Sequence, residues 1–150
     1  MDAAPNRLAC GVGSVHGIPP TARRGGAVSG ALRIVLVEDD AIIALDLSEL
    51  LAAMGHQVCA IASSEDDAVE AAARFRPDLM IVDGGLVEGS GVMAMRRILA
   101  QGPVAHVYVT GSPRAVLAQV PGAIILAKPF SVLELERGIG QARSAVRPRP

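Results

Sequence analysis

The sequence predicts a doubly wound α/β fold, a five-stranded parallel sheet with helices on both faces and a shortened fourth helix. Three observations carry this. Short apolar runs alternate five times with segments of helical period, which is the pattern of repeated βαβ units. Four of the five runs end in a polar residue, at the strand ends where such sheets bind ligands. Apolar residues make up 51% of the chain, yet it has no Trp, one Tyr and two Phe. The core is therefore Ala, Val, Ile and Leu, the usual filling of a sheet buried on both faces.

The elements follow in order. LRIVLV (32–37) is a buried strand that stops at Glu38, Asp39 and Asp40. Asp40 can cap the helix that follows. From 41 to 54, Ile43, Leu47, Leu50 and Met54 share one helical face, and Gly55 suits the C′ position. QVCAIA (57–62) is a second strand, and Ser63 or Ser64 opens a helix running to Phe75. DLMIVD (78–83) is a third strand ending in Asp83, followed by the loop GGLVEGSG (84–91). The third helix covers 92–100, with Val92, Met95 and Leu99 inward. AHVYVT (105–110) ends in Thr110, and 113–120 leaves room for two helical turns at most. AIILAK (123–128) ends in Lys128, and Ser131 caps a last helix whose inner face is Leu135, Ile139 and Ala142.

Composition narrows the function. Net charge is −1 with no basic block, which argues against nucleic acid as a direct partner. No apolar run reaches the roughly eighteen residues of a membrane span, and the start has no continuous apolar segment of the secretory type. The two cysteines, Cys10 and Cys59, do not make a disulfide framework. A cytoplasmic protein is expected. Residues 1–30, rich in Gly and Pro, read as a disordered tail or a misassigned start, 31–146 as one domain and 147–150 as a tail.

The strand ends gather Glu38, Asp39, Asp40, Asp83, Thr110 and Lys128. Carboxylates crowded into one crevice repel unless a cation joins them, and hard oxygen donors select Mg²⁺. Asp83, alone on its strand, can act as a nucleophile and form an acyl phosphate. A lysine ammonium and a hydroxyl can then neutralise and bind phosphoryl oxygens. Lys128 is the one lysine against thirteen arginines. Such a bias fits a site that needs a compact, mobile cation rather than a planar fork.

The motifs EDD (38–40), VD (82–83), VTG (109–111) and AKPF (127–130), each ending its strand in the correct order, resemble the receiver domain of bacterial two-component response regulators. The resemblance spans 32 to about 145 and implies a flavodoxin-like fold. It implies Asp83 as phosphoacceptor, Asp39 as a direct Mg²⁺ ligand, Glu38 as a ligand through water, the Gly85 carbonyl as a further ligand, and Thr110 and Lys128 as phosphoryl-binding groups. It also implies a cis Lys128–Pro129 bond. The partners would be a sensor histidine kinase or histidine phosphotransfer protein and a downstream protein. The chain would act by phosphate shuttling or phosphorylation-dependent docking, with no output domain, and with at most self-phosphotransfer and autodephosphorylation as activity.

Three positions depart from the family. Val87 stands where the family has Pro, the Thr110–Lys128 spacing is short by about one helical turn, and Ile125 replaces the usual switch aromatic. The Thr110–Gly111 pair, the short fourth helix and the missing aromatic together resemble the FAT GUY subset of receivers. Tyr108 is read as core packing. With a stunted fourth helix, the partner surface is expected on the fifth strand and the first and fifth helices. Asp46, Glu49, Asp66, Asp67, Glu70, Arg96 and Arg97 read as solvated, and His56 as exposed. None of His16, His56 and His106 has metal-ligand spacing. Two other classes remain: a docking module that takes no phosphate, disfavoured by the intact Asp39, Asp83, Thr110 and Lys128 set, and an aspartyl-phosphate phosphatase, disfavoured because Gly85 stands where a second acid is needed.

Overall fold

The computed structural model describes residues 30–86 and 88–146. Most of the tail expected at 1–30, with Cys10 and His16, the tail at 147–150 and the departure at Val87 lie outside the described residues. The elements are β1 (Arg33–Val37), α1 (Ala41–Ala53), β2 (Gln57–Ala62), α2 (Glu65–Phe75), β3 (Leu79–Asp83), α3 (Gly91–Leu99), β4 (Ala105–Thr110), α4 (Pro113–Gln119), β5 (Ile125–Ala127) and α5 (Val132–Ala145). The strands form one parallel sheet in the order β2-β1-β3-β4-β5. Two apolar layers flank it. One joins Ile34, Leu36, Leu79, Ile81 and Val107 to α1 and α5. The other joins Val35, Val37, Met80, Val82 and Tyr108 to α2, α3 and α4. Alternate residues of a strand point to opposite faces, so each central strand feeds both layers.

The caps follow the sequence. Asp40 accepts hydrogen bonds from the Ile42 and Ile43 N–H groups at 2.9 and 3.1 Å. Ser64, rather than Ser63, caps α2. Ser131 and Glu134 form a reciprocal capping box on α5. The fourth helix has seven residues, as its spacing predicts, and Lys128–Pro129 is cis.

Two expectations about helix faces and one about strand length are corrected. In α1 the buried residues are Ala44, Leu47, Ser48 and Leu51, while Ile43 is exposed and Leu50 and Met54 pack only at the margin. Ser48 can be buried because its hydroxyl donates to the Ala44 carbonyl at 2.7 Å. In α3, Ile98 faces inward and Leu99 outward. The fifth strand pairs over three residues instead of six, although backbone bonds from Tyr108 N–H to the Ile124 carbonyl and from Lys128 N–H to the Thr110 carbonyl, each 2.9 Å, flank it.

His56 is half-buried rather than exposed, and its Nδ1 accepts a hydrogen bond from the Leu32 N–H at 3.1 Å. That bond requires an unprotonated Nδ1, and burial lowers the histidine from its ordinary 6.5. The unfolded chain therefore binds a proton that the folded chain resists. Stability from this contact is complete above 6.5 and is lost as pH falls through the lower folded value. His56→Asn keeps an acceptor near Nδ1 without titrating. Thermal melts from about pH 7 to about pH 5 should lose stability more steeply in the wild type than in this variant. Parallel curves would refute the assignment.

Candidate functional site

The sheet delivers four groups to one edge. Glu38 directly follows β1, and its N–H is anchored to the Ala62 carbonyl at 2.9 Å. Asp83 is the last residue of β3, Thr110 the last of β4, and Lys128 directly follows β5. Parallel pairing puts these ends side by side, because Val37 pairs with Val82, Asp83 with Val109, and Thr110 with Ala127.

Lys128 Nζ lies 3.4 Å from Asp83 Oδ2 and 3.7 Å from Glu38 Oε1. The other Asp83 oxygen, Oδ1, accepts a hydrogen bond from the Gly85 N–H at 3.0 Å. The Asp83 side chain is 13% exposed and that of Glu38 only 4%. Thr110 is buried, and its Oγ1 accepts from the Ser112 N–H at 3.0 Å. Asp83, Thr110 and Lys128 line a cavity of about 430 Å³ beneath α4, with Gly84, Gly85 and Gly111 on its wall. A second cavity of about 350 Å³, lined by Leu47, Leu50 and Phe130, reaches Glu38, Asp83 and Lys128 from the α1 side. The site is thus open from two directions.

Oxygens of Glu38, Asp39 and Asp83 lie within 4.8 Å of one another. Burial above all, and then a hydrogen bond and charge from Asp83, push the Glu38 carboxyl up to about 8, against the pull of Lys128. One ammonium does not balance this donor set. A hard divalent cation does, so the residues fit Mg²⁺. Asp40 has its side chain committed to the α1 cap. A carboxylate between a point-charge cation and a hard-metal cluster, with one oxygen fixed by a backbone N–H, is equipped for nucleophilic attack on a phosphorus centre.

The sequence matches the response regulator receiver domain over residues 34–139. The chain belongs to the response regulator receiver family. This receiver domain is 32% identical over 135 residues to the phyllosphere-induced regulator PhyR of Methylorubrum extorquens, covering 87% of this chain and 51% of that protein. It is 33% identical to the transcriptional regulatory protein PdtaR of Mycobacterium tuberculosis, covering 77% of this chain and 58% of that one. The receiver thus spans about half the length of these relatives. Among solved structures, the PhyR receiver domain of Erythrobacter litoralis superposes with a TM-score of 0.71 at 28% identity, covering 81% of this chain and 95% of that one. No helix of the described residues is long and apolar enough to cross a membrane.

Sequence reasoning missed one neighbour of this site. Glu65, at the start of α2, accepts a hydrogen bond from the Ser90 N–H in the loop after Asp83 and pairs with Arg97. Arg97 and Asp66, read as solvated, are partners at 2.7 Å. The signal available was the acidic run 65–67 opening a helix, which alone reads as a favourable match to the helix dipole.

Proposed function

We propose that Asp83 accepts a phosphoryl group from a phosphohistidine of a sensor kinase or phosphotransfer protein. A carboxylate oxygen of Asp83 attacks phosphorus, an O–P bond forms, the P–N bond breaks, and the imidazole leaves with the electron pair. The observation that carries this reading is the Lys128 ammonium held between Asp83 and Glu38. Lys128 can follow a phosphoryl oxygen as charge arrives and departs, and Thr110 lines the same cavity with a hydroxyl that can hydrogen-bond one. Mg²⁺ held by Glu38, Asp39, Asp83 and the Gly85 carbonyl would supply the rest of the charge neutralisation.

The output is a change in protein binding. The charge added at Asp83 lies close to α4 and to the loop after β5, which form the walls of the site. Ile42 and Leu45 on α1 and Val132 and Leu133 on α5 are 74%, 54%, 46% and 54% exposed. These side chains support α1 and α5 as part of the surface that meets partners.

Intact mass after incubation with acetyl phosphate and Mg²⁺ tests the reading. One added phosphoryl group, mapped to Asp83, is expected. No gain from acetyl phosphate or from any phosphorylated histidine donor would favour a module that docks without phosphate. Continuous turnover of phosphate esters would favour a phosphatase.

Mg²⁺ should also stabilise the metal-free protein, by about 1.4 kcal/mol at tenfold above its dissociation constant. Calorimetric melts at matched ionic strength should show a rise of several degrees, absent in Asp39→Asn. An equal rise in both proteins would remove Asp39 from the ligand set.

A further inference from the structure

The Asp83 loop is held from outside the site. Gly85, whose N–H binds Asp83 Oδ1 at 3.0 Å, forms an isolated antiparallel bridge with Ser90. The Ser90 N–H in turn donates to Glu65 Oε2 at 3.2 Å, and the Glu65 N–H donates to the Glu88 carbonyl at 3.3 Å. Glu65 thus grips the loop with both its backbone and its side chain. Its second oxygen, Oε1, is steered by Arg97 of α3 at 3.1 Å. Gly89 lets the grip close. Its φ is +81°, and a Cβ there would sit 2.6 Å from Glu65 Cβ and Oε2.

We propose that Glu65 is a positioning residue for the phosphoryl-transfer site. Through Ser90 it fixes Gly85, and through Gly85 it fixes both the Asp83 carboxylate and the carbonyl assigned to Mg²⁺. The inference rests on the phosphoacceptor reading above. Glu65 itself touches no reacting atom. Outer groups that orient metal ligands typically carry about ten- to a hundredfold in metal affinity.

The contacts separate positioning from simple stabilisation. Glu65→Gln keeps an acceptor for Ser90 and loses the charge that pairs with Arg97. Arg97→Ala removes the ion pair and leaves the Ser90 bond. Glu65→Ala removes both. Exposed ion pairs contribute little to stability, so a merely structural role would give small melting shifts shared by all three variants.

The test measures Mg²⁺ affinity by calorimetry together with amide hydrogen exchange of Gly85 and Ser90 in the metal-free full chain. The expected result is about tenfold weaker Mg²⁺ binding and faster exchange at both amides in Glu65→Ala. Glu65→Gln and Arg97→Ala, which both keep the Ser90 bond and lose the ion pair, should both fall between wild type and Glu65→Ala. Gly89→Ala, which disturbs the same contact from the loop side, should resemble Glu65→Ala. Unchanged exchange and affinity in Glu65→Ala would overturn the positioning role while leaving the phosphoacceptor reading intact. Equal losses in Glu65→Ala and Glu65→Gln would also overturn it, because the hydrogen bond to Ser90 would then not be the cause. A wild type that binds no Mg²⁺ and takes no phosphoryl group would overturn the phosphoacceptor reading, and the role of Glu65 with it.

Discussion

The Asp83→Asn protein takes up no phosphoryl group under conditions that load the wild type, and in chelator it melts at a higher temperature. The first effect is chemical. An amide is not a nucleophile toward phosphorus, while Asn retains an oxygen to accept the Gly85 N–H. The second effect is electrostatic. Glu38 is pushed up to about 8 by burial and then by a hydrogen bond and charge from Asp83, so the metal-free site resists ionising both carboxylates together. Neutralising residue 83 removes that second cause and leaves Lys128 paired with Glu38 at 3.7 Å. Relief of a single pKa unit is worth about 1.4 kcal/mol, so a gain of about 1 kcal/mol is the expected scale. Opposite signs for activity and stability mark a group kept for chemistry. Intact mass and thermal melts read the two effects separately. Loading of the variant equal to that of wild type would assign the nucleophile elsewhere.

Gly91→Ala destabilises the fold by about 3 kcal/mol, the upper range for overpacking. Gly91 opens α3 behind the end of β3, and a Cβ there would run into the Asp83 backbone carbonyl and lie 2.8 Å from Val82 Cγ1. Backbone cannot swing aside as a flexible side chain can, so β3 or α3 must move and Asp83 with it. Alanine is otherwise favoured over glycine in a helix by up to about 1 kcal/mol, and Gly140 provides the control. It sits in α5, exposed, with nothing within 4 Å of an added Cβ. Gly140→Ala should therefore gain about 0.5–1 kcal/mol. Urea unfolding of both variants at unchanged m-value checks the contrast. A neutral Gly91→Ala would mean the strand end yields more readily than its packing implies.

The sheet and the site were legible because strands in such a fold are short apolar runs, and each run here stops at a group with chemistry. Val37 before Glu38, Val82 before Asp83 and Val109 before Thr110 are changes a reader of the sequence can see. Which face of α1 turns inward was not legible. Periodicity weighs large apolar residues, and it chose Ile43, whereas the buried positions include Ala44 and Ser48. Close approach of helix to sheet favours the small side chains, and the Ser48 hydroxyl finds its partner within its own helix. The Leu99 and Ile98 exchange in α3 has the same root, since adjacent apolar residues offer two frames 100° apart. Glu65 was illegible for a different reason. Its partners Ser90 and Arg97 lie 25 and 32 residues away, and no local pattern announces a hydrogen bond to a loop backbone.

A chain with one lysine has one side-chain amine. That amine stands at the acidic cluster, 28% exposed and reachable from the cavities on both sides. Reagents that acylate lysine ε-amines therefore have a single side-chain target in the whole molecule, and it is the site itself. In most proteins such labelling scatters over the surface and says little. Here the labelled fraction of one peptide reports whether Lys128 is free or engaged. The same bias toward arginine makes the site a chemical address, through which a dye, a crosslinker or an affinity handle can be installed without engineering a new residue.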